Sequence, residues 1–559
     1  MGAIFGGALG LDVQPMDSPL WVLDGYGDPM ITSGYDILVE LQAYNLETSA
    51  VDTIRFGTDA YNDPSAPGYF SPRMIQSLNF RRDMFTGNTT AGAGRVSFGE
   101  MRIANGDGSL DMLRTRYAFA GWPAKLMIGD TTLTYDNFET LITGKPLQVF
   151  FSMTDLVVSL RDRLEDLQEP IQTNKYKGDN ILPNGLEGGE DLKDKPKPLL
   201  FGRVQNVSPI LINSAKLIYQ VHDGPIEYLP VVYDQGVPLT RDIDYATSAD
   251  MIGIQPGPGT FRCWMHGGCF RLGAMPVGTI TCDAADVYTL SGTEQELSNT
   301  AAQVAVRILT HTGGITMGDI NMQDVTHLDL VNPAVVGIWF ADETQFGQAV
   351  DKVLGSVGAW YGFDRFDQLR IRRHEVPIGG QGVCTFRMFG PDTDATIMDF
   401  DIVDIRFLPT NDPDRGIPTW EFNVEYGLNY TVQQKDNLAG SVQLDRQTFL
   451  GLAVRTATAS NEAVKTPYPL AKTKKITTVL LDAAAAQAEA NRLLSIYQAQ
   501  RDFIEIDTPM SSELIATVDI GDQVFVAVPR FNLSAGKPFV IIGMQYNPGT
   551  RGLTLMLWG

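Results

Sequence analysis

Cysteine is scarce in this chain of 559 residues. There are four, too few for a disulfide framework, which points to folding in a reducing cytoplasm. The five histidines (His222, His266, His311, His327, His374) are scattered, with no HExxH, no His-x-His and no nucleophile elbow beside them. GxSxG, Walker A and a strand-borne GxGxxG are missing too, so triad, metallohydrolase and nucleotide chemistry have no motif to stand on. No stretch approaches the ~18–20 uninterrupted apolar residues of a membrane helix. The start, MGAIFGGALGLDVQPM, lacks the basic residues of a signal peptide and is expected to be an arm packing on something else. Positive charge is also in deficit: 43 Lys+Arg against 66 Asp+Glu leave a formal −23. That balance argues against a nucleic-acid reader or docking on anionic lipid, both of which need a basic face.

What the chain does have is 44% hydrophobic residues, 55 Gly and 31 Pro. The first figure is that of a globular protein, and the punctuation suits many short strands and turns. At roughly 150 residues per domain the length suggests about three to four domains. The expected class is mainly β with a few helices (α+β), multidomain.

Strand-length apolar or alternating runs occur at 37–42, 102–104, 124–128 and 147–153. A short helix is expected through Leu156, Leu160, Leu164 and Leu167, stopped by Pro170. Residues 176–198, polar and rich in Gly and Pro, read as a linker, and a second β-rich stretch runs over 199–290. Amphipathic helices follow at 294–310 and 344–358, then a strand at 369–372. Strands return at 400–407 and 419–426. A long helix at 482–501, capped by Asp482, precedes strands at 502–508, 523–528, 538–545 and 553–558. A strand–helix–strand pattern thus recurs around 75–215, 285–400 and 400–559 without sequence repetition.

Four constellations invite a chemical reading. Asn105-Gly106-Asp107-Gly108-Ser109-Leu110-Asp111 resembles a calcium loop but has Leu110 where an EF-hand needs Gly and Arg116 where it needs Glu; a hairpin turn is expected. Cys263, Cys269 and Cys282, with His266 between the first two, have the residue types of a zinc or iron–sulfur site. Their spacing fits no common zinc knuckle and Cys384 is remote, so buried free thiols are expected. The aromatic runs Gly337 to Phe340 and Gly358 to Phe363 flank a helix and are expected in a core rather than on a sugar platform. Among 66 acids no carboxylate pair stands out for glycoside chemistry. No catalytic, cofactor-binding or metal residue is assigned.

Several stretches resemble the baseplate hub, or tail-tip, proteins of long-tailed, siphovirus-like bacteriophages and related gene-transfer particles. They are Phe201 to Val204 with YQVHDGPIEYLPVVYDQGVPLT (Tyr219 to Thr240), GCFRLGAMPVGTITCD (Gly268 to Asp283), Val336 to Trp339, and Ser356 to Trp360 followed by Leu369 to Pro377. The end of the chain is similar as well: helix 482–501, Asp519 to Asp522, Arg530 to Gly536 and Leu553 to Gly559. So are Ile54 to Phe56, Tyr69 to Arg73 and Gly99 to Asp111 near the start. In such proteins the position of Cys282 usually holds a small residue, although some hub and tip proteins do hold an iron–sulfur cluster.

The resemblance implies a structural, non-enzymatic homotrimer at the virion tail tip, assembled in the host cytoplasm. Each subunit would carry two tail-tube-like β domains with a flanking helix, joining the sixfold tail tube and distal tail ring to the threefold tip. Implied partners are the distal tail ring, the tube, a tape-measure protein in the lumen and tip or fibre proteins. DNA would pass only as cargo during ejection, with no stable membrane insertion. The expected division is 1–50, N-terminal arm and leading strand; 51–215, first hub domain with loop 176–198; 216–290, β-rich insert; 291–400, α+β domain; 401–559, second hub domain. The tube-like regions are expected at 75–215 and 400–559, with 285–400 as the rival. The arm and loop 176–198 are the expected docking segments. The alternative is a receptor-binding or glycan-degrading tail-tip protein.

Overall fold

The computed structural model describes residues 35–85, 91–180, 184–286, 299–311, 314–379, 382–388, 398–408 and 417–559. The expected arm up to residue 34 and the start of the helix expected at 294 lie outside them. Among the described residues the protein is mainly β, with short helices and several sheets arranged in more than one layer.

The first large sheet grows from the strand Tyr35–Asn45, which pairs with Ala50–Gly57 on one side and Ala124–Asp130 on the other. Ile37, Val39, Leu41 and Ala43 alternate into a core, as period-two patterning dictates. The sheet continues through Glu139–Phe151 and Asp155–Arg161 to Glu100–Ala104. Its two edge strands, Ser71–Pro72 and Met74–Gln76, are separated by Arg73 alone. The first runs parallel to Phe56 and Gly57, the second antiparallel to Arg102 and Ile103, so the chain itself joins the edges and closes a barrel. The seam joins the two outermost strands through the chain, while the second half of Glu139–Phe151 runs on beyond its neighbour Ala124–Asp130.

A second large sheet forms from the last part of the chain, in the order Met398–Asp401, Cys384–Arg387, Gln523–Ala527, Lys537–Asn547, Gly552–Trp558, Phe503–Pro509, Asp404–Phe407. Its edge strands are likewise consecutive in sequence, joined by Ile402 and Val403. Met398–Asp401 is parallel to its neighbour and Asp404–Phe407 antiparallel to the strand beyond. Ile402 N–H donates to the Arg387 carbonyl (2.7 Å) and Val403 N–H to the Asp507 carbonyl (2.8 Å), fixing this seam.

Between the barrels in sequence lie two smaller units. Leu199–Val207 is shared: it pairs with Ile280–Ala285 in the β-rich insert and with Gly337–Phe340 in the helical layer. The approach is so close that a Cβ on Gly337 would overlap the Arg203 carbonyl. The helical layer packs Ala301–Thr310, Phe346–Gly355 and Ala483–Tyr497 against Ala359–Phe363, Leu369–Arg373 and Thr419–Tyr426 in one apolar cluster. Asp482 caps the last of these helices, accepting from Ala485 N–H (2.8 Å).

Three local expectations are corrected. Leu156 and Leu160 are on the strand Asp155–Arg161, because Leu156, Val158 and Leu160 alternate inward with Val157 and Ser159 between them; only Arg163–Gln168 is helical, and 3-10. Asp107-Gly108 does not turn a hairpin. Asn105 is buried and its side chain accepts from Leu110 N–H (2.9 Å) and donates to Asp111 (2.8 Å), steering the chain into the helix Asp111–Arg116. The described part of 176–198 is a packed strap and not a linker. Tyr176 is buried, its hydroxyl donating to Gln220 (2.6 Å), and Leu186 and Leu192 cover Ile212, Ile218 and Met251.

Candidate functional site

The calcium-like loop has its carboxylates already engaged. Arg73, at the first barrel's seam, grips both oxygens of Asp107 (3.0 and 2.7 Å), and this guanidinium holds the Asp107 carboxyl well below the usual range. Asp107 also accepts from Ser109, so the loop acts as a clip across the closure.

The cysteines do not converge. Cys263 and Cys269 lie on neighbouring strands but in different apolar clusters, the first with Cys282, the second with Tyr176 and Met251. All are buried, and burial pushes the Cys263 thiol up to about 12 and the others upward as well. His266 sits exposed on the turn after Trp264. Among the described residues no group of three or more His, Cys, Asp or Glu could hold a metal ion. The aromatic runs are in cores: Phe340, Trp360, Tyr361 and Phe363 are buried, and half-buried Trp339 donates its indole N–H to the Val221 carbonyl (2.8 Å).

A cleft of about 440 Å³ has Asp162, Glu165 and Asp351 among its lining residues. Burial raises the carboxyl pKa of Asp162 and Asp351. Each nevertheless has a structural task. Asp162 accepts from Leu164 and Val96 N–H, and Asp351 from Ala93 N–H and the Tyr361 hydroxyl (both 3.0 Å).

Two histidines are buried as neutral imidazoles. Burial lowers His222 to about 4 and His374 to about 3. Their folded values lie below the unfolded one near 6.5, so the unfolded chain binds protons first as pH falls. Stability is therefore full above pH 6.5 and is lost at roughly 1.4 kcal/mol per pH unit for each imidazole on the way down. Thermal denaturation between pH 7 and 5 should show this loss, and His374→Leu should flatten its share.

The two barrels correspond to each other strand by strand. In the hairpin Glu139–Phe151/Asp155–Arg161, Phe151 faces Leu156 and Val149 faces Val158. In Lys537–Asn547/Gly552–Trp558, Tyr546 faces Leu553 and Met544 faces Leu555. One step further both ladders bulge, at Leu147 and at Ile542. The next strand keeps step, with Ala124 facing Gly144 as Val524 faces Phe539. Six-residue helices, Asp111–Arg116 and Ser512–Thr517, precede that strand in each barrel. Both barrels also admit an insertion between the seam and the following strand, at 77–99 in the first and 408–502 in the second.

The barrels differ at one edge. In the second, Gly543 to Tyr546 is capped by Phe80–Asp83, a strand from the first barrel's insertion. Phe80 stacks on Tyr546 (centroids 4.2 Å apart), Met84 N–H donates to the Ile542 carbonyl (2.8 Å), and buried Arg82 pairs with Asp519 (2.5 Å). In the first barrel the equivalent stretch, Gln148 to Phe151, has no capping strand among the described residues. A groove of about 590 Å³ lies there, walled by Arg114, Tyr117, Phe119 and Ala120. Leu147 and Phe150, each 56% exposed, and Met153, 90% exposed, stand on this hairpin. Sequence reading found the strand but not its open edge, since nothing in 147–151 says which neighbour is missing.

No protein-family model and no curated protein matches the chain. Among solved structures it is similar to the tail protein from Neisseria meningitidis MC58, at 11% identity and TM-score 0.40, covering 94% of this chain and 97% of that one. It is also similar to the prophage tail protein gp18 from Listeria monocytogenes EGD-e, at 9% identity and TM-score 0.35, covering 94% of each. A third is the 43 kDa tail protein of prophage MuSo2 from Shewanella oneidensis, at 10% identity and TM-score 0.32, covering 93% of this chain and 98% of that one. These neighbours are phage tail proteins.

Proposed function

We propose that the chain is a structural component of a phage tail, the trimeric hub that joins the tail tube and distal tail ring to the tip. The observation that carries this is the pair of barrels with the same seam, bulge and register within one chain. Three such chains would present six similar units, which lets a threefold tip meet a sixfold tube through closed interfaces. In this reading the tube-like units are the two barrels, whose strands lie within 35–161 and 384–558. The insert and the helical layer brace them from outside. The excess of acids suits a conduit, because a negative wall repels DNA phosphates and lets the genome slide.

The glycan-degrading alternative needs two free, convergent carboxylates, and the acidic cleft ties Asp162 and Asp351 to backbone amides instead. Mass photometry of the purified chain, alone and with its distal-tail ring, tests the hub reading. A species of three times 61.3 kDa that joins the ring is expected. A chain that stays monomeric and never joins a ring would overturn it.

A further inference from the structure

We propose that the cleft where the first barrel meets the turn Pro548–Thr550 of the second is a divalent-cation site of calcium type, with Asp36, Asp59 and the Ser77 hydroxyl as its protein ligands. The proposal is independent of the hub reading.

Asp36, the second residue of the strand Tyr35–Asn45, is 8% exposed. Its Oδ1 accepts from the Thr58 hydroxyl (3.1 Å), and the Thr131 hydroxyl bonds to the same carboxyl. Thr58 is itself held, since its Oγ1 accepts from Ile37 N–H (3.1 Å). The remaining neighbour is Asp59, a second carboxyl within hydrogen-bond reach. Burial raises the Asp36 carboxyl above its ordinary value, and the like charge of Asp59 adds to the rise. No cation is among the groups acting on Asp36, and neither carboxyl has an ion-pair partner among the described residues. The carboxylates of Asp519 and Glu489, by contrast, are neutralised by Arg82 and by Arg373 with Arg492.

A second observation lies in the same cleft. Ser77 follows the edge strand Met74–Gln76, is 6% exposed, and its Oγ has no hydrogen-bond partner. It lines the cleft with Asp36, Thr58 and Asp59, beside Gly549 of the turn, where an added Cβ would lie 3.5 Å from that Oγ. The volume, about 480 Å³, has room for an ion with several waters. Arg551 also lines the cleft, and its charge sets a limit on the affinity.

These donors are all oxygens. Calcium takes about six to eight oxygen ligands, neutral oxygens and waters included, in irregular geometry. Magnesium demands a near-ideal octahedron, and zinc favours nitrogen and sulfur. Two carboxylates place the site in the weak range, with Kd roughly 10⁻⁴–10⁻³ M. An ion there would tie the leading strand, the loop after Ala50–Gly57 and the segment after the seam beside the second barrel's turn.

Calorimetric titration of the chelator-stripped full chain with calcium chloride, and thermal denaturation over the same range, test this. A single saturable ion per chain and a rising Tm are expected. Asp59→Asn changes an exposed position, should keep the wild-type circular dichroism spectrum and should bind calcium about tenfold more weakly. Ser77→Ala should weaken binding as well, whereas Glu165→Gln, in the other cleft, should leave it unchanged. No saturable binding within about tenfold of that range, or wild-type affinity in Asp59→Asn, would overturn the proposal. Equal weakening by Glu165→Gln would also overturn it, because it would mark attraction to the general negative charge. So would magnesium bound as tightly as calcium.

Discussion

Replacing Arg82 with alanine is expected to lower the unfolding free energy by about 3–5 kcal/mol, the usual cost of breaking a buried ion pair from one side. Arg82 is 3% exposed and reaches from the capping strand to Asp519 at the foot of the second barrel. Burial pushes the Asp519 carboxyl up, but Arg82 more than offsets this and holds it below its ordinary value. Without Arg82 the carboxylate keeps its bond from Ile520 N–H (2.8 Å) and a distant Arg370 (3.8 Å), and is otherwise stranded. The double variant Arg82→Leu with Asp519→Leu should recover much of the loss, since an apolar pair of similar volume avoids the desolvation of two charges. Chemical denaturation of the three proteins would measure the coupling. Equal stability of Arg82→Ala and wild type would show that the capping strand is held by its backbone and by Phe80 alone.

The second large effect is expected at Glu489. This carboxylate is 2% exposed and lies in the buried stripe of helix Ala483–Tyr497 with Ala486, Ala490 and Leu493. It accepts from Arg373 (2.7 Å) and from Arg492 (2.9 and 2.6 Å), while Arg492 also donates to the His374 carbonyl (2.7 Å). Helix and strand are thus tied through this buried acid between two guanidinium groups, with Glu375 at the exposed side of the pair. Glu489→Ala should cost about 3–5 kcal/mol, because it leaves two buried guanidinium groups with only the half-exposed Glu375 beside them (3.4 and 4.0 Å). Glu489→Gln, which keeps acceptor geometry but loses charge, should fall between. A Cβ on Gly358 would overlap Arg492, so Gly358→Ala should disturb the same knot from the strand side.

Local features of this protein were legible because they are written in neighbouring residues. Alternation marked the strands at 419–426 and near the C-terminus, and Asp482 announced its helix through the spacing of Ala486, Ala490 and Leu493. Glu489 was passed over in that stripe because its partner Arg373 is 116 residues away. The leucines at 156 and 160 misled for a related reason: four-residue spacing satisfies a strand's period as well as a helix's turn, and only the pairing with Phe151 to Lys145 decides.

By itself the sequence determined a β-rich chain with few helices, an acidic balance, and no motif for catalysis or membrane spanning. The tertiary structure decided the rest. That Arg73 and Ile402-Val403 are seams, that two barrels share one register, and that Arg82 meets Asp519 across 437 residues depends on which edges find each other. A strand's periodicity fixes which face is buried, whereas its partner is selected by the packing of the whole chain. The open edge at Gln148 to Phe151 is visible only beside its filled counterpart.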